Sequence, residues 1–341
     1  MLIQSATITG AVMMRACLIT GVAGFVGSHL AEALLKHGCR VVGVDNFFSG
    51  YRENMAPFED HPNFRFYEAS VEEAGLLKRI AGEHPDLDVC FHLAAIVSVP
   101  YSVDHEEETM RVNWEATTSL LGEAEAMGWS RFVFAGSAAE YGEDDRLPLL
   151  ETYVTSQTRH LSPYGTAKHL SSRRVSSSPI GVALRCFNIY GPRQDPTSPY
   201  SGVISRFIDF ALARRPLTIF GDGQQTRDFI YVSDVVGAYL AAAGLGDYQK
   251  SLPCGVYNAG TGISVSILEL ADTIRSLTEN SQPHRFMPER AGDIRHSLAS
   301  VAALRNSSPW KPRVSLRDGL RETIEHVLML GSPSATPISV V

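Results

Sequence analysis

A doubly wound α/β sheet carrying a smaller C-terminal lobe is the architecture that this chain of 341 residues predicts. Three observations carry that expectation. Short apolar runs alternate with longer helical stretches through the first half, as parallel βαβ units do. Three glycines, Gly21, Gly24 and Gly27, stand where the first run gives way to a helix. Past Phe187 the alternation breaks into loops rich in Pro and Gly.

Strands are expected over residues 15–20, 40–44, 89–93, 131–135 and 181–185, each a short apolar run separated from the next by a helical pattern. The first closes on the glycine turn, and a helix continues from it to Lys36. If Ser-Pro-Tyr-Gly-Thr-Ala-Lys opens a further helix, Tyr164 and Lys168 share one of its faces. An amphipathic helix is expected near residues 203–213, in a lobe over the carboxyl ends of the strands, where open sheets bind ligands. Residues 14–186 with about 228–262 are assigned to a dinucleotide-binding domain, and about 187–227 with 263–330 to the second lobe. Residues 1–13 and 331–341 are expected to be loose termini.

A hydrophobic content of 44% supplies a sizeable core. The formal charge of −7 is spread along the chain, so no basic stripe suits nucleic acid and no polybasic run suits a membrane surface. The start of the chain lacks the basic and apolar pattern of a secretory signal, and no apolar stretch is long enough to span a bilayer. Cys17, Cys39, Cys90, Cys186 and Cys254 are scattered without metal-ligand spacing, and read as buried thiols of a reducing cytoplasm.

At the cofactor end, absent side chains at Gly21, Gly24 and Gly27 let the backbone approach a pyrophosphate. The helix N-terminus adds amides and the positive end of its dipole. Asp45 ends the next strand, where a carboxylate accepts from ribose hydroxyls and repels a 2′-phosphate, favouring NAD over NADP. His92-Leu-Ala-Ala95 closes a later strand whose backbone could line the cofactor, although His92 could equally be an ordinary hydrogen-bonded histidine. A Lys168 ammonium near the Tyr164 phenol would favour the phenolate, letting the tyrosine act as a base near neutral pH.

Gly-x-x-Gly-Phe-Val-Gly-Ser-His-Leu30, Asp45-Asn46, His92-Leu-Ala-Ala95, Ser137 four before Tyr141-Gly142, and Tyr164-x-x-x-Lys168 together resemble the extended short-chain dehydrogenase/reductase family. Arg185-Cys-Phe-Asn-Ile-Tyr-Gly-Pro-Arg193, Phe220-Gly-Asp-Gly-Gln-Gln-Thr-Arg-Asp-Phe229, Tyr257-Asn-Ala-Gly-Thr-Gly262 and Arg290-Ala-Gly-Asp293 look like its nucleotide-sugar branch, which includes UDP-glucose and UDP-N-acetylglucosamine 4-epimerases. The resemblance runs from about Arg15 to Arg321. It implies a homodimer that holds NAD in the first lobe and a nucleotide diphosphate-sugar in the second. Gly21, Gly24, Phe25, Val26, Gly27, Asp45, Asn46, Ser49, Ser70, Val71, Leu93, Ala94 and Ala95 would meet NAD, together with Tyr164 and Lys168. Ser137 and Tyr164 would hold the sugar 4-hydroxyl, with Tyr164 as base and Lys168 on the nicotinamide ribose. Asn188, Val203, Arg227, Arg290, Asp293 and Ser297 would meet the nucleotide sugar, two guanidiniums being suited to a diphosphate.

The serine loop narrows the reaction. In the resembling dehydratases and decarboxylases an acid stands two before the loop tyrosine; here that place is Ala139, which cannot move a proton, and Glu140 lies one position off. What remains is hydride removal from C4 and its return, which is 4-epimerisation. Ser297, four after Asp293, matches a place where a small side chain goes with 2-acetamido sugars, so UDP-N-acetylglucosamine and UDP-N-acetylgalactosamine are the expected pair, with UDP-glucose and UDP-galactose as further substrates. A dehydratase, a UDP-glucuronate 4-epimerase and, more distantly, a non-catalytic NAD-binding sensor are the alternatives. Three departures stand out from the family pattern. Ser70 replaces an aspartate expected at the adenine, Ala138 replaces a residue that is often hydroxylated, and the segment from Lys168 to Gly181 is about five residues short.

Overall fold

All five residues of β1 (Ala16–Thr20) are buried, because a central parallel strand is covered on both faces and so needs apolar side chains at every position. The computed structural model describes residues 15–195, 202–289 and 294–331, which leaves the expected loose N-terminus, Arg290, Asp293 and residues 332–341 outside the described residues. The remaining strands of the first half are β2 (Arg40–Asp45), β3 (Phe64–Glu68), β4 (Leu87–His92), β5 (Arg131–Ser137) and β6 (Gly181–Cys186). They are followed by β7 (Asn188–Tyr190), β8 (Thr218–Phe220), β9 (Thr226–Arg227), β10 (Phe229–Tyr231), β11 (Gly255–Ala259), β12 (Val265–Ser266) and β13 (Arg285–Met287).

Seven strands form one parallel sheet in the order β11-β6-β5-β4-β1-β2-β3. The order reverses direction between β1 and β4, and that reversal opens the crevice in which such sheets take ligands. Thr20 pairs with both Val44 and His92 there, so the carboxyl ends of three strands lie side by side. Two of the seven strands were not expected from sequence. β3 is an edge strand whose Phe-Arg-Phe-Tyr-Glu is only partly buried, and β11 opens on Gly255 with two half-buried residues, so neither reads as a continuous apolar run.

The first helices are α1 (Phe25–Lys36), α2 (Leu76–Glu83), α3 (Val99–Asp104), α4 (Glu106–Met110), α5 (Ala116–Ala126) and α6 (Pro163–Ser176). Then come α7 (Val203–Leu212), α8 (Val232–Ala243), α9 (Ile267–Leu277), α10 (Ala302–Ser307) and α11 (Leu316–Met329). Alternation along β1 sends Cys17 and Ile19 into a core shared with Leu30, Leu34, Val235 and Tyr239 of α1 and α8. Ala16 and Leu18 enter the opposite core with Leu76, Ile80, Leu120 and Leu121 of α2 and α5. A further core gathers Ile204, Phe207, Ile219, Leu270 and Leu320 from α7, β8, α9 and α11.

The short segment after Lys168 still makes a full helix, since α6 runs 14 residues from the Ser162 cap. Its economy lies in the turn that follows, where a Cβ on Gly181 would stand 1.8 Å from the Val175 carbonyl oxygen. The expectation that all cysteines are buried is corrected at Cys254. Four are buried, whereas Cys254 is exposed on the loop before β11, donating to the Pro179 carbonyl.

Candidate active site

Gly21 follows β1 with φ +74°, and a Cβ there would lie 2.7 Å from the Ala94 amide nitrogen. Gly27 lies tighter still: its Cβ would stand 2.0 Å from the Gly21 carbonyl oxygen. These approaches bring the glycine turn against Leu93–Ala95, whose first amide donates to Thr20 O and whose second donates to Thr20 Oγ1. No capping side chain occupies the N-terminus of α1 at Gly24, which leaves its first amides for an anion. Phe25 and Val26 form the first half-buried turn of that helix.

Asp45 is buried at the end of β2. Its carboxylate accepts from the Ala23 amide at 2.9 Å and the Phe47 amide at 2.8 Å, and burial raises its pKa against the pull of those bonds. Each oxygen keeps a further lone pair for a hydroxyl. Asn46 and Ser49 are exposed on the loop beyond, Ser70 is half-buried beside Glu72 and Glu73, and Val71 is buried. An uncapped helix end, backbone stripped of Cβ atoms and a sheltered carboxylate together fit a dinucleotide. His92 is an ordinary hydrogen-bonded histidine: Thr20 Oγ1 lies 2.7 Å from Nδ1 and Thr117 Oγ1 2.9 Å from Nε2, and burial lowers its pKa to about 3.

Ser137 ends β5, and Tyr164 and Lys168 stand one turn apart on α6, whose start is fixed by the Ser162 cap and by Ser102 Oγ accepting from the Tyr164 amide. The Ser137 hydroxyl accepts from the Ala139 amide at 3.1 Å and draws the Tyr164 pKa down. Lys168 is 3% exposed; its Nζ donates to the Ala135 carbonyl at 2.8 Å and lies 5.8 Å from the centre of the Tyr164 ring. Burial pushes the phenol up to about 12, with Ser137 opposing it, and pushes Lys168 down to about 8. Burial is the largest influence on both groups, favouring the neutral phenol and the neutral amine.

Glu140 is fully buried behind this corner, its carboxylate engaged by protein donors. Its carboxylate accepts from the Ser137 amide (2.9 Å), Ser172 Oγ (2.8 Å) and Arg185 Nε (2.6 Å), completing a capping box with Ser137. In the smaller lobe, Asn188 is exposed on β7 and Val203 is half-buried at the start of α7. Arg227 is half-buried on β9, and the buried Ser297 donates its amide to the neighbouring Thr226 carbonyl at 3.1 Å. Arg290 and Asp293 are outside the described residues. Sequence reading did not single out Asp228, a buried carboxylate accepting from Thr261, Gly262 and Ala299, while its carbonyl accepts from the Asn188 amide. Through four hydrogen bonds to its carboxylate and one to its carbonyl, Asp228 fastens β7, the Thr261–Gly262 turn and the Ala299 segment together.

A parallel sheet with a side-chain-free first turn, and a serine, tyrosine and lysine gathered at the end of β5, defines a Rossmann-type dinucleotide-binding protein. Residues 17–260 match the model of the NAD dependent epimerase/dehydratase family, and the chain belongs to that family. It is 36% identical over 315 residues to the UDP-glucose 4-epimerase of Mycolicibacterium smegmatis, covering 90% of this chain and 97% of that one. Among solved structures it is similar to the UDP-N-acetylglucosamine 4-epimerase of Methanobrevibacter ruminantium in complex with UDP-N-acetylmuramic acid. That match has a TM-score of 0.84 at 34% identity and covers 93% of this chain and 99% of that one. It is also similar to the UDP-glucuronic acid 4-epimerase of Bacillus cereus in complex with UDP-glucuronic acid and NAD, with a TM-score of 0.81 at 31% identity, covering 92% and 99%. Among the described residues, no helix is long and apolar enough to cross a membrane.

Proposed function

We propose that this protein is an NAD-dependent 4-epimerase of a nucleotide sugar, interconverting UDP-N-acetylglucosamine and UDP-N-acetylgalactosamine, with UDP-glucose and UDP-galactose as further substrates. The loop from Ser137 to Tyr141 carries this reading. Ala139 has no ionisable group, and Glu140, the acid of the loop, spends its carboxylate on Ser137, Ser172 and Arg185. Elimination and decarboxylation after C4 oxidation call for a further proton-moving group at the sugar, whereas epimerisation needs only the serine–tyrosine–lysine corner.

Residues 14–186 with about 228–262 hold NAD through the glycine turn, Asp45 and residues 93–95, and about 187–227 with 263–330 hold the sugar nucleotide. NAD, when bound, supplies a hydride acceptor, and its oxidised ring carries a positive charge. Tyr164 takes the 4-hydroxyl proton as the C4–H bond breaks and a C4 carbonyl forms, and Ser137 holds that oxygen. A phenol held at about 12 acts as a base once cationic charge near it outweighs burial. The keto sugar turns while Arg227 grips the diphosphate; C4 then regains hydride on its other face and Tyr164 returns the proton. Ser297 leaves room for a 2-acetamido group. The protein works as a cytoplasmic homodimer.

NMR of products from UDP-N-acetylglucosamine, UDP-glucose and UDP-glucuronate tests this. An axial 4-hydroxyl product from the first is expected; a deoxy, unsaturated or decarboxylated product, or epimerisation of the uronate alone, would replace the reading.

A further inference from the structure

We propose that Glu140 is a positioning residue, a buried carboxylate that ties the Ser137 loop to the helix bearing Tyr164 and Lys168 and sets the charge around the phenol. This rests on Tyr164 being the base. Tyr164, Lys168 and Ser172 follow one another at four-residue intervals along α6, so they share a face of the helix. Glu140 accepts from the third of them and, through the same oxygen, from the Ser137 amide. Its other oxygen takes Arg185 Nε from β6, and Arg185 Nη1 donates onward to the Glu151 carbonyl at 2.9 Å. One side chain thereby joins the serine, the helix and the sheet at a single point.

There is no slack in this joint. The pair is 0% and 3% exposed, and a Cβ on Gly136 would stand 2.7 Å from Glu140 Oε1. The ionisable groups that feel it come from several elements: Tyr164 and Lys168 from α6, Arg185 and Cys186 from β6, and His160 from the preceding loop, with Tyr141 next to it in the chain. Within that set the Glu140 charge raises the pKa of both Tyr164 and Lys168. Glu140 therefore has two separable effects on the phenol, one through reach and one through charge.

Two substitutions separate them. Glu140→Asp keeps the charge and shortens the reach; Glu140→Gln keeps the length and removes the charge. Because Glu140→Gln strands Arg185, it is also made with Arg185→Met, which removes the buried cation. Each holoenzyme is assayed for kcat and KM with UDP-N-acetylglucosamine, UDP-glucose and UDP-glucuronate, and for bound NAD and melting temperature. The Tyr164 phenolate is followed by absorbance against pH, after subtracting the matching Tyr164→Phe protein.

Both single substitutions are expected to lower kcat by at least about tenfold with KM within about twofold, Glu140→Asp through lost reach and Glu140→Gln because an amide has one acceptor oxygen where Ser137, Ser172 and Arg185 all donate, which loosens the joint. The phenolate titration of Glu140→Gln moves to lower pH by roughly half a unit or more, that of Glu140→Gln with Arg185→Met moves less because the opposing cation is lost with the anion, and that of Glu140→Asp stays in place. Wild-type kcat in a folded Glu140→Gln holoenzyme would overturn the proposal. So would a loss of kcat that only follows lost NAD or lower melting temperature with the titration unmoved. The absorbance titration needs no turnover. If the wild type acts on none of the three sugars, the epimerase reading fails while the titration still decides on Glu140.

Discussion

At Gly21–Gly27 the cofactor end of the site is made by leaving side chains out, whereas at Ser137–Glu140 the chemical end is made by sealing an ion pair in. The first depends on backbone approaches that a single methyl group would block, 2.0 Å at Gly27 and 2.7 Å at Gly21. The second depends on hydrogen bonds whose partners are spread over β5, α6 and β6. Damage at the first should therefore be steric and felt as lost binding. Damage at the second should be chemical and felt as lost turnover with the cofactor still in place.

Tyr164→Phe probes the chemical end most strongly. Turnover should fall by about two to four orders of magnitude while bound NAD, read by absorbance after gel filtration, stays at the wild-type level; near-normal turnover would remove Tyr164 from the role of base. Gly27→Val probes the other end. Its Cβ collides with the backbone rather than with a movable side chain, so NAD affinity measured by calorimetry should drop by about a hundredfold, with kcat at saturating NAD largely kept. Unchanged affinity would mean that the turn does not carry the pyrophosphate.

Ser297→Tyr acts away from both ends. It should cut kcat/KM for UDP-N-acetylglucosamine by about tenfold more than for UDP-glucose, and equal losses would end the size reading of that position. The smallest effect concerns His92, behind the cofactor end. Its folded pKa is lowered from 6.5 to about 3, so over that window the unfolded chain binds the additional proton and stability falls as pH falls. His92→Gln should reduce the slope of unfolding free energy against pH there by up to about 1.4 kcal/mol per unit, measured by urea denaturation. An unchanged slope would show that His92 is protonated in the folded protein.

What sequence could convey differed between the two ends. The glycine turn and Asp45 were legible because they follow directly from strand-to-helix geometry, and β1, β2, β4, β5 and β6 announced themselves as apolar runs. Edge strands β3 and β11 did not, since partial burial relaxes the demand for apolar residues. Tyr164 and Lys168 were legible by spacing, but their protonation was not. Spacing contains the Coulomb term and omits desolvation, which dominates both groups. Glu140 reads in sequence as a displaced acid; its partners Ser172 and Arg185 are 32 and 45 residues away, a meeting that only the fold arranges.

Consider finally the four residues that turn the chain from α6 into β6, where Gly181 lies so close to Val175 that a methyl group would stand 1.8 Å from its carbonyl oxygen. A rod bolted this tightly at its trailing end cannot slide along its own axis. The placement of Tyr164 and Lys168 along the helix axis is thus fixed in part at its far tip, by a turn that touches neither of them.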